Sequence, residues 1–230
     1  MMERNEEMPK LLIFDLDQTL WAFDAAQPRF QTPHRLAPEG VQCQAAVAKP
    51  FKEAAEIVRH LKGSGQRLAV ASANSQEKVC ASLLQHMGFL QDRAGFGGIE
   101  KSIMAIYPGS KTAHFKQIAD GSGLEFREML FFDDRALNVR AAQKLGIVAH
   151  QVSSLDGLTW KDFSAGLDAW RAQRRSSLAM SKWLRPKVTT PAGLESAAEA
   201  PPVVDLLVEA DEPRPAPPGA GAVDVIDLCQ

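Results

Sequence analysis

The chain has 230 residues and is 45% hydrophobic, which suits one domain with an extra segment, or two small domains. Its formal net charge of −2 provides no general attraction to nucleic acid or to anionic membranes, so neither is an expected partner. The three cysteines, Cys43, Cys80 and Cys229, have neither metal-binding nor redox spacing. They indicate a reducing compartment, and we expect a cytoplasmic and/or nuclear location.

Apolar runs alternate with segments of helical periodicity between residues 10 and 175. The pattern predicts strands at 11–14, 67–72, 103–107, 129–132 and 147–152. Helices are expected at 51–61, around 79–87, at 110–119, at 136–145 and from about 160 to 170. We expect Asn74 and Glu77 to form a capping pair for the second helix.

Strands that alternate with helices predict an α/β fold with a parallel central sheet. Residues 22–48 are rich in proline, glutamine and alanine and show little periodicity, so they are interpreted as a small flap, a minimal cap. Residues 1–9 are charged and are expected to form a flexible N-terminus without a secretory signal. Residues 176–230 contain much proline, alanine and glycine, which is typical of a disordered tail.

Polar side chains follow several of the predicted strands where each strand ends, namely Asp15, Asp17, Ser72, Asp133 and Asp134. Ligands of parallel α/β sheets bind at the carboxyl ends of the strands, so these residues are expected to meet. Carboxylates gathered at the edge of a core repel one another and need a compensating cation. Mg²⁺ prefers oxygen ligands and is the cofactor that this pattern favours.

Four motifs occur in order: DLDQT at 15–19, Ser72 at the end of a strand, Lys111 within YPGSK, and FFDD at 131–134. Together they resemble the four motifs of the haloacid-dehalogenase-like (HAD) superfamily. DLDQTLW, IYPGSK followed by TAHF, and MLFFDD are similar to its magnesium-dependent phosphatase group. The resemblance covers about residues 10–174 and implies a three-layer, Rossmann-like fold.

The resemblance also implies roles for the first motif in the hydrolysis of phosphate monoesters. Asp15 would attack phosphorus, form an aspartyl-phosphate and bind Mg²⁺. Asp17 would protonate the leaving oxygen, activate water for the second step and contact the metal through its backbone carbonyl. Thr19 would hold the loop and belongs with the residues around the substrate phosphate.

The later motifs are implied to hold the phosphate and the metal. Ser72 and the adjoining Ala73 would lie at the phosphoryl oxygens, and Lys111 would neutralise both the nucleophile and the phosphate. Asp133 would bind Mg²⁺ directly, whereas Asp134 would act through water or by orienting the lysine. Such groups suit phosphoryl transfer, which depends on positioning and on cations near the phosphoryl oxygens.

The sequence departs from the family after the serine of the second motif. An arginine is common there, but this chain has Ala73 followed by Asn74. Without the arginine, no side chain at this position can bind an anion through two hydrogen bonds. The substrate preference of the family therefore cannot be assumed for this chain. Phosphotyrosine-like esters, small sugar or amine phosphates and phosphoproteins, including serine/threonine phosphoproteins, all stay open as substrates.

Other functions are less well supported by the residues. A dehalogenase does not need Asp17, and a phosphomutase normally needs a larger cap than residues 22–48 could form. An interaction protein is the alternative from another class, because AVDVIDL at 222–228 resembles a motif that binds the small ubiquitin-like modifier (SUMO). Its apolar side chains are Val223, Val225, Ile226 and Leu228. Residues 203–212 contain a second, similar segment.

Overall fold

A computed structural model describes residues 8–92 and 95–183 of the protein, with side chains described up to residue 177. Most of the predicted flexible N-terminus and most of the predicted tail, including both SUMO-binding segments, lie outside the described residues. Within the described ranges, no helix is long and apolar enough to cross a membrane.

The described part of the chain contains five α-helices and nine strands. The helices are α1 Lys52–Gly63, α2 Glu77–His86, α3 Lys111–Ser122, α4 Ala136–Lys144 and α5 Trp160–Trp183. The strands are β1 Leu11–Phe14, β2 Arg35–Ala37, β3 Gly40–Gln42, β4 Val47–Ala48, β5 Arg67–Ser72, β6 Gly98–Ile99, β7 Ala105–Ile106, β8 Met129–Asp133 and β9 Val148–Gln151.

The central sheet is parallel, as predicted, and its strands have the order β6-β5-β1-β8-β9, with β7 also pairing with β5. Strand β1 lies in the middle, where Ile13 is in register with Ala69 on one side and Phe131 on the other. All four β1 residues are buried because helices cover both faces of the sheet.

Alternate residues of β1 enter two separate cores. Leu12 and Phe14 belong to the larger core, which includes residues of α1, α2 and α5. Leu11 and Ile13 belong to the smaller core, with Phe115 of α3 among its members. Successive strand side chains point to opposite faces, so this division produces three layers, helix–sheet–helix. The α/β fold expected from the sequence is confirmed.

Residues 22–48, the segment interpreted as a flap, contain three short strands. Strands β2, β3 and β4 make a three-stranded antiparallel sheet. The rings of Trp21, Phe23 and Phe30 stack in series at its base, with centroid separations of 5.3 and 4.1 Å. His34 connects the flap to α2 through a 2.8 Å hydrogen bond between its Nδ1 and Ser82 Oγ.

Several local predictions differ from the structure. Helix α5 continues to Trp183, beyond the helix expected from about 160 to 170. The expected strand at 103–107 is reduced to β7, because residues Lys101–Ile103 form a 3₁₀ turn. The predicted capping pair is wrong, since Gln76 occupies the N-cap of α2. The Asn74 side chain accepts from Gln76 N–H before the helix begins and donates to Asp17.

Candidate active site

The buried carboxylates of Asp15 and Asp133 lie side by side at the carboxyl ends of β1 and β8. Phe14 is in register with Phe132, and the backbone N–H of Asp15 donates to the Phe132 carbonyl at 3.0 Å. Asp15 is 7% exposed and Asp133 is fully buried. The register between two central strands therefore brings together two residues that are far apart in the sequence.

Lys111, the first residue of α3, places its ammonium group between these two carboxylates. Its Nζ lies 2.6 Å from Asp15 Oδ1 and 3.1 Å from Asp133 Oδ2, and it also donates to the Ala71 carbonyl. Lys111 itself is only 4% exposed. Ser110 caps the helix by accepting a hydrogen bond from Ala113 N–H, which fixes the point from which the lysine side chain enters the site.

Three carboxylates could share a metal ion here. Asp15, Asp133 and Asp134 each offer an oxygen, and these oxygens lie within 4.8 Å of one another. The pKa of Asp15 is raised to about 7, because burial, together with the charge of Asp133, outweighs the lowering effect of Lys111. Burial and the neighbouring Asp133 also raise the pKa of Asp134. A divalent cation would favour the ionised forms of all three.

Asp133 is held in place by donors from the turn that follows β8. The backbone N–H of Arg135 donates to Asp133 Oδ1 at 2.8 Å. The amide of Asn138 donates to both carboxylate oxygens, at 3.0 and 2.9 Å. These bonds and the lysine fix the orientation of a carboxylate that has no access to solvent.

Asp17 lies beside this cluster and has a different set of partners. Trp21 Nε1 donates to Asp17 Oδ1 at 2.7 Å, and Asn74 Nδ2 donates to Asp17 Oδ2 at 2.7 Å. Burial raises the pKa of Asp17, which these hydrogen bonds partly offset. The Asp17 carboxylate is not in the three-carboxylate group, and the predicted contact of its backbone carbonyl with a metal stays a prediction.

The residues predicted to surround the phosphate lie on two loops. Ser72 is 2% exposed at the end of β5, and its Oγ accepts from Asn74 N–H at 3.3 Å. Ala73 is exposed and has only its backbone to offer a phosphate. Thr19 is fully buried, but its hydroxyl has no hydrogen-bond partner among the described residues. Its main chain holds the loop instead, accepting from Leu158 N–H at 2.9 Å.

A sequence model of the acid phosphatase family matches residues 7–173. The chain belongs to the acid phosphatase family. It is 27% identical over 176 residues to the human protein magnesium-dependent phosphatase 1, covering 76% of this chain and 94% of the relative. It is 33% identical over 156 residues to a HAD-like hydrolase superfamily protein of Schizosaccharomyces pombe, covering 64% of this chain and 87% of the relative.

Solved structures share the fold of this acid phosphatase family member. The N-terminal part of a Bacteroides fragilis protein, which contains a phosphatase domain complexed with Mg, aligns with a TM-score of 0.51 at 18% identity. The alignment covers 71% of this chain and 41% of that chain. These matches support the expected membership of the HAD-like superfamily.

Sequence reasoning missed three residues that orient the acidic side chains. In the sequence, Asn74 has the position of a helix cap, Trp21 is part of the first motif, and Asn138 is one position in a predicted helix. A possible signal for Asn138 is its position five residues after Asp133, on the first turn of α4. The contact between Asn74 and Asp17 spans 57 residues and has no local signal in the sequence.

Proposed function

We propose that this chain is a Mg²⁺-dependent phosphatase that hydrolyses phosphate monoesters through an aspartyl-phosphate on Asp15. One observation carries the proposal: the oxygens of Asp15, Asp133 and Asp134 lie within 4.8 Å of one another, and the ammonium of Lys111 contacts the first two. A nucleophilic carboxylate, a cation and a potential metal site thus occupy one sheet edge. The human relative named as a magnesium-dependent phosphatase supports it.

The donor set fits Mg²⁺, because it consists of carboxylate oxygens, the hard ligands that this ion prefers. Asp15 and Asp133 would hold the ion together with the backbone carbonyl of Asp17, and Asp134, whose carboxylate lies close to both, would act through water or by orienting Lys111. When bound, Mg²⁺ would neutralise charge on the phosphoryl oxygens and on the carboxylates.

Each side chain of the site has its own role in the reaction. Asp15 attacks phosphorus, while Lys111 neutralises negative charge on the nucleophile and on the phosphoryl group. Asp17 gives a proton to the leaving oxygen and then takes one from the water that hydrolyses the aspartyl-phosphate. The hydroxyl of Ser72 and the backbone N–H of Ala73 orient the phosphoryl oxygens.

The substrate class is also part of the proposal. Residues 22–48 make only a small flap, which would leave the site open to phosphotyrosine-like esters and to small sugar or amine phosphates. Phosphoproteins, including those phosphorylated on serine or threonine, are the alternative within the same superfamily. The methyl side chain of Ala73 cannot bind a second anionic group of a substrate. A substrate with one phosphate therefore suits the site better than one with a further anionic group.

The tail carries a separate proposal, supported only by its sequence. Residues 222–228 and 203–212 would bind SUMO by adding a strand to the edge of its sheet. Titration of a 201–230 peptide with SUMO tests this, and a peptide with Val225→Ala and Ile226→Ala is the control. Binding that is absent, or equal for both peptides, would refute it. The cytoplasmic or nuclear location stays a prediction.

The phosphatase proposal is tested with the full chain and the variant Asp15→Asn. We expect the wild-type protein to hydrolyse para-nitrophenyl phosphate with Mg²⁺, to lose activity in excess chelator, and to regain it with added Mg²⁺. Asp15→Asn should be inactive with an unchanged circular dichroism spectrum. Wild-type turnover in the folded variant, or activity that persists in chelator, would contradict the mechanism.

A further inference from the structure

The two oxygens of the Asp17 carboxylate differ in how many hydrogen bonds they already accept. Each carboxylate oxygen has about two acceptor sites. Oδ1 accepts from Trp21 Nε1 at 2.7 Å and from the backbone N–H of Ala25 at 3.2 Å, so both of its sites are used. Among the residues that the structure describes, Oδ2 accepts only from Asn74 Nδ2, at 2.7 Å. One site on Oδ2 is therefore left for a proton.

The side-chain amide of Asn74 has a defined orientation. Its carbonyl oxygen accepts from the backbone N–H of Gln76 at 2.8 Å, which places the NH₂ group on the opposite side. That NH₂ group then donates to Asp17 Oδ2 and to Asp24 Oδ1, the latter at 3.1 Å. A flipped amide would face two carboxylates with an oxygen and would lose these bonds.

We propose that Asn74 is a positioning residue that makes Oδ2 the proton-transferring oxygen of Asp17 and connects Asp17 to the flap through Asp24. The inference rests on the proposed phosphatase function and adds a residue to it. In the first step, the bond between Asp15 and phosphorus forms as the bond from phosphorus to the leaving oxygen breaks. The proton on Asp17 Oδ2 moves to that leaving oxygen, while Asn74 donates to Oδ2 throughout.

The position of Asn74 gives this role a physical basis. Asn74 is 7% exposed and lies two residues after Ser72, on the loop that follows β5. Ala25 lies at the start of the flap, so Asp17 receives hydrogen bonds from the flap and from the loop that carries Asn74. Without the amide, Oδ2 would lose its donor among the described residues, while Oδ1 would keep its bonds to Trp21 and Ala25. The carboxylate could then turn about Oδ1, which would move Oδ2 away from the leaving group. Small misplacements of a catalytic group can lower rates by up to about 100-fold.

The experiment compares two leaving groups in the full-length protein with Mg²⁺. Phenol is a weaker acid than para-nitrophenol, so phenyl phosphate depends more strongly on proton donation. We expect Asn74→Ala to lower kcat/KM for phenyl phosphate at least about tenfold more than for para-nitrophenyl phosphate. Gln143→Ala, which removes an exposed amide on α4, should leave both values unchanged.

A second variant separates the donor role from a role in the turn before α2. Asn74→Asp keeps an oxygen that can accept from Gln76 N–H but removes the NH₂ group. Assayed at about pH 8, where an ordinary aspartate is ionised, it should show the same selective loss on phenyl phosphate. Wild-type behaviour of Asn74→Asp, or an equal loss on both substrates in Asn74→Ala, would overturn the inference.

An NMR measurement tests the role of Asn74 independently of the phosphatase proposal. The indole N–H resonance of Trp21 reports the hydrogen bond to Asp17 directly. We expect Asn74→Ala to shift this resonance, because Asp17 loses one of its supports. Inactivity of the wild-type protein on both esters would refute the phosphatase function. An unchanged Trp21 resonance in Asn74→Ala would overturn the positioning role whether or not the wild type is active.

Discussion

Replacement of Lys111 by methionine should show how strongly the two buried carboxylates depend on its charge. Methionine keeps much of the length and apolar volume of the lysine stem, but it removes the contacts with Asp15 and Asp133. The side chains of these three residues are at most 9% exposed, so solvent cannot replace the ammonium group. The variant therefore contains two buried carboxylates without their cation.

Removing one partner of a buried ion pair typically lowers the free energy of unfolding by about 3–5 kcal/mol. For a domain of this size, each kcal/mol corresponds to about 2–4 °C in Tm, so the expected fall is roughly 6–20 °C. Mg²⁺ should restore more stability to Lys111→Met than to the wild type, because its charge would compensate the same carboxylates. Chemical denaturation with Mg²⁺ and with chelator measures both effects.

Lys116→Met is the matched control, since Lys116 is exposed on the same helix. It should change the free energy of unfolding by less than about 0.5 kcal/mol. If Lys111→Met were as stable in chelator as the control, the lysine would not be compensating the carboxylates. An equal effect of Mg²⁺ on both variants would show that the ion binds elsewhere.

Two other predictions concern the acid–base residue and the attachment of α5. Asp17→Asn should lower kcat about 10²- to 10⁴-fold with Mg²⁺ present, and a change of less than about threefold would contradict its role. Burial alone would raise the pKa of Asp162, but hydrogen bonds from Thr159 and His150 outweigh this and lower it. Asp162→Asn should therefore cost about 0.5–2 kcal/mol of stability at pH 7, relative to the exposed control Asp168→Asn. The difference should shrink as pH falls below about 3.8, where the unfolded carboxyl protonates, and a pH-independent difference would contradict this reasoning.

The central part of the site could be predicted because the fold itself brings it together. Parallel strands end at one edge of a sheet, so polar residues at strand ends converge even when long stretches of sequence separate them. Asp15 and Asp133 lie next to each other for this reason. Lys111 is expected there only because YPGSK resembles a family motif; in the structure, the helix that it begins packs against β5 and β7.

The contacts that orient the site could not be predicted in this way. Asn74 looks like a helix cap in the sequence, and nothing local indicates that its amide faces Asp17. The strands of the flap are only two or three residues long, too short to show an alternating pattern.

The two residues after Ser72 affect both the binding of the substrate and the contacts that orient Asp17. An arginine there would offer a planar donor set to an anion, whereas Ala73 offers only its backbone N–H. Asn74 spends both amide hydrogens on Asp17 and Asp24, so it has no donor left for the substrate. Contacts beyond the phosphate must therefore come from other parts of the site. The flap is one such part, because its Ala25 N–H donates to Asp17 and its Asp24 accepts from Asn74.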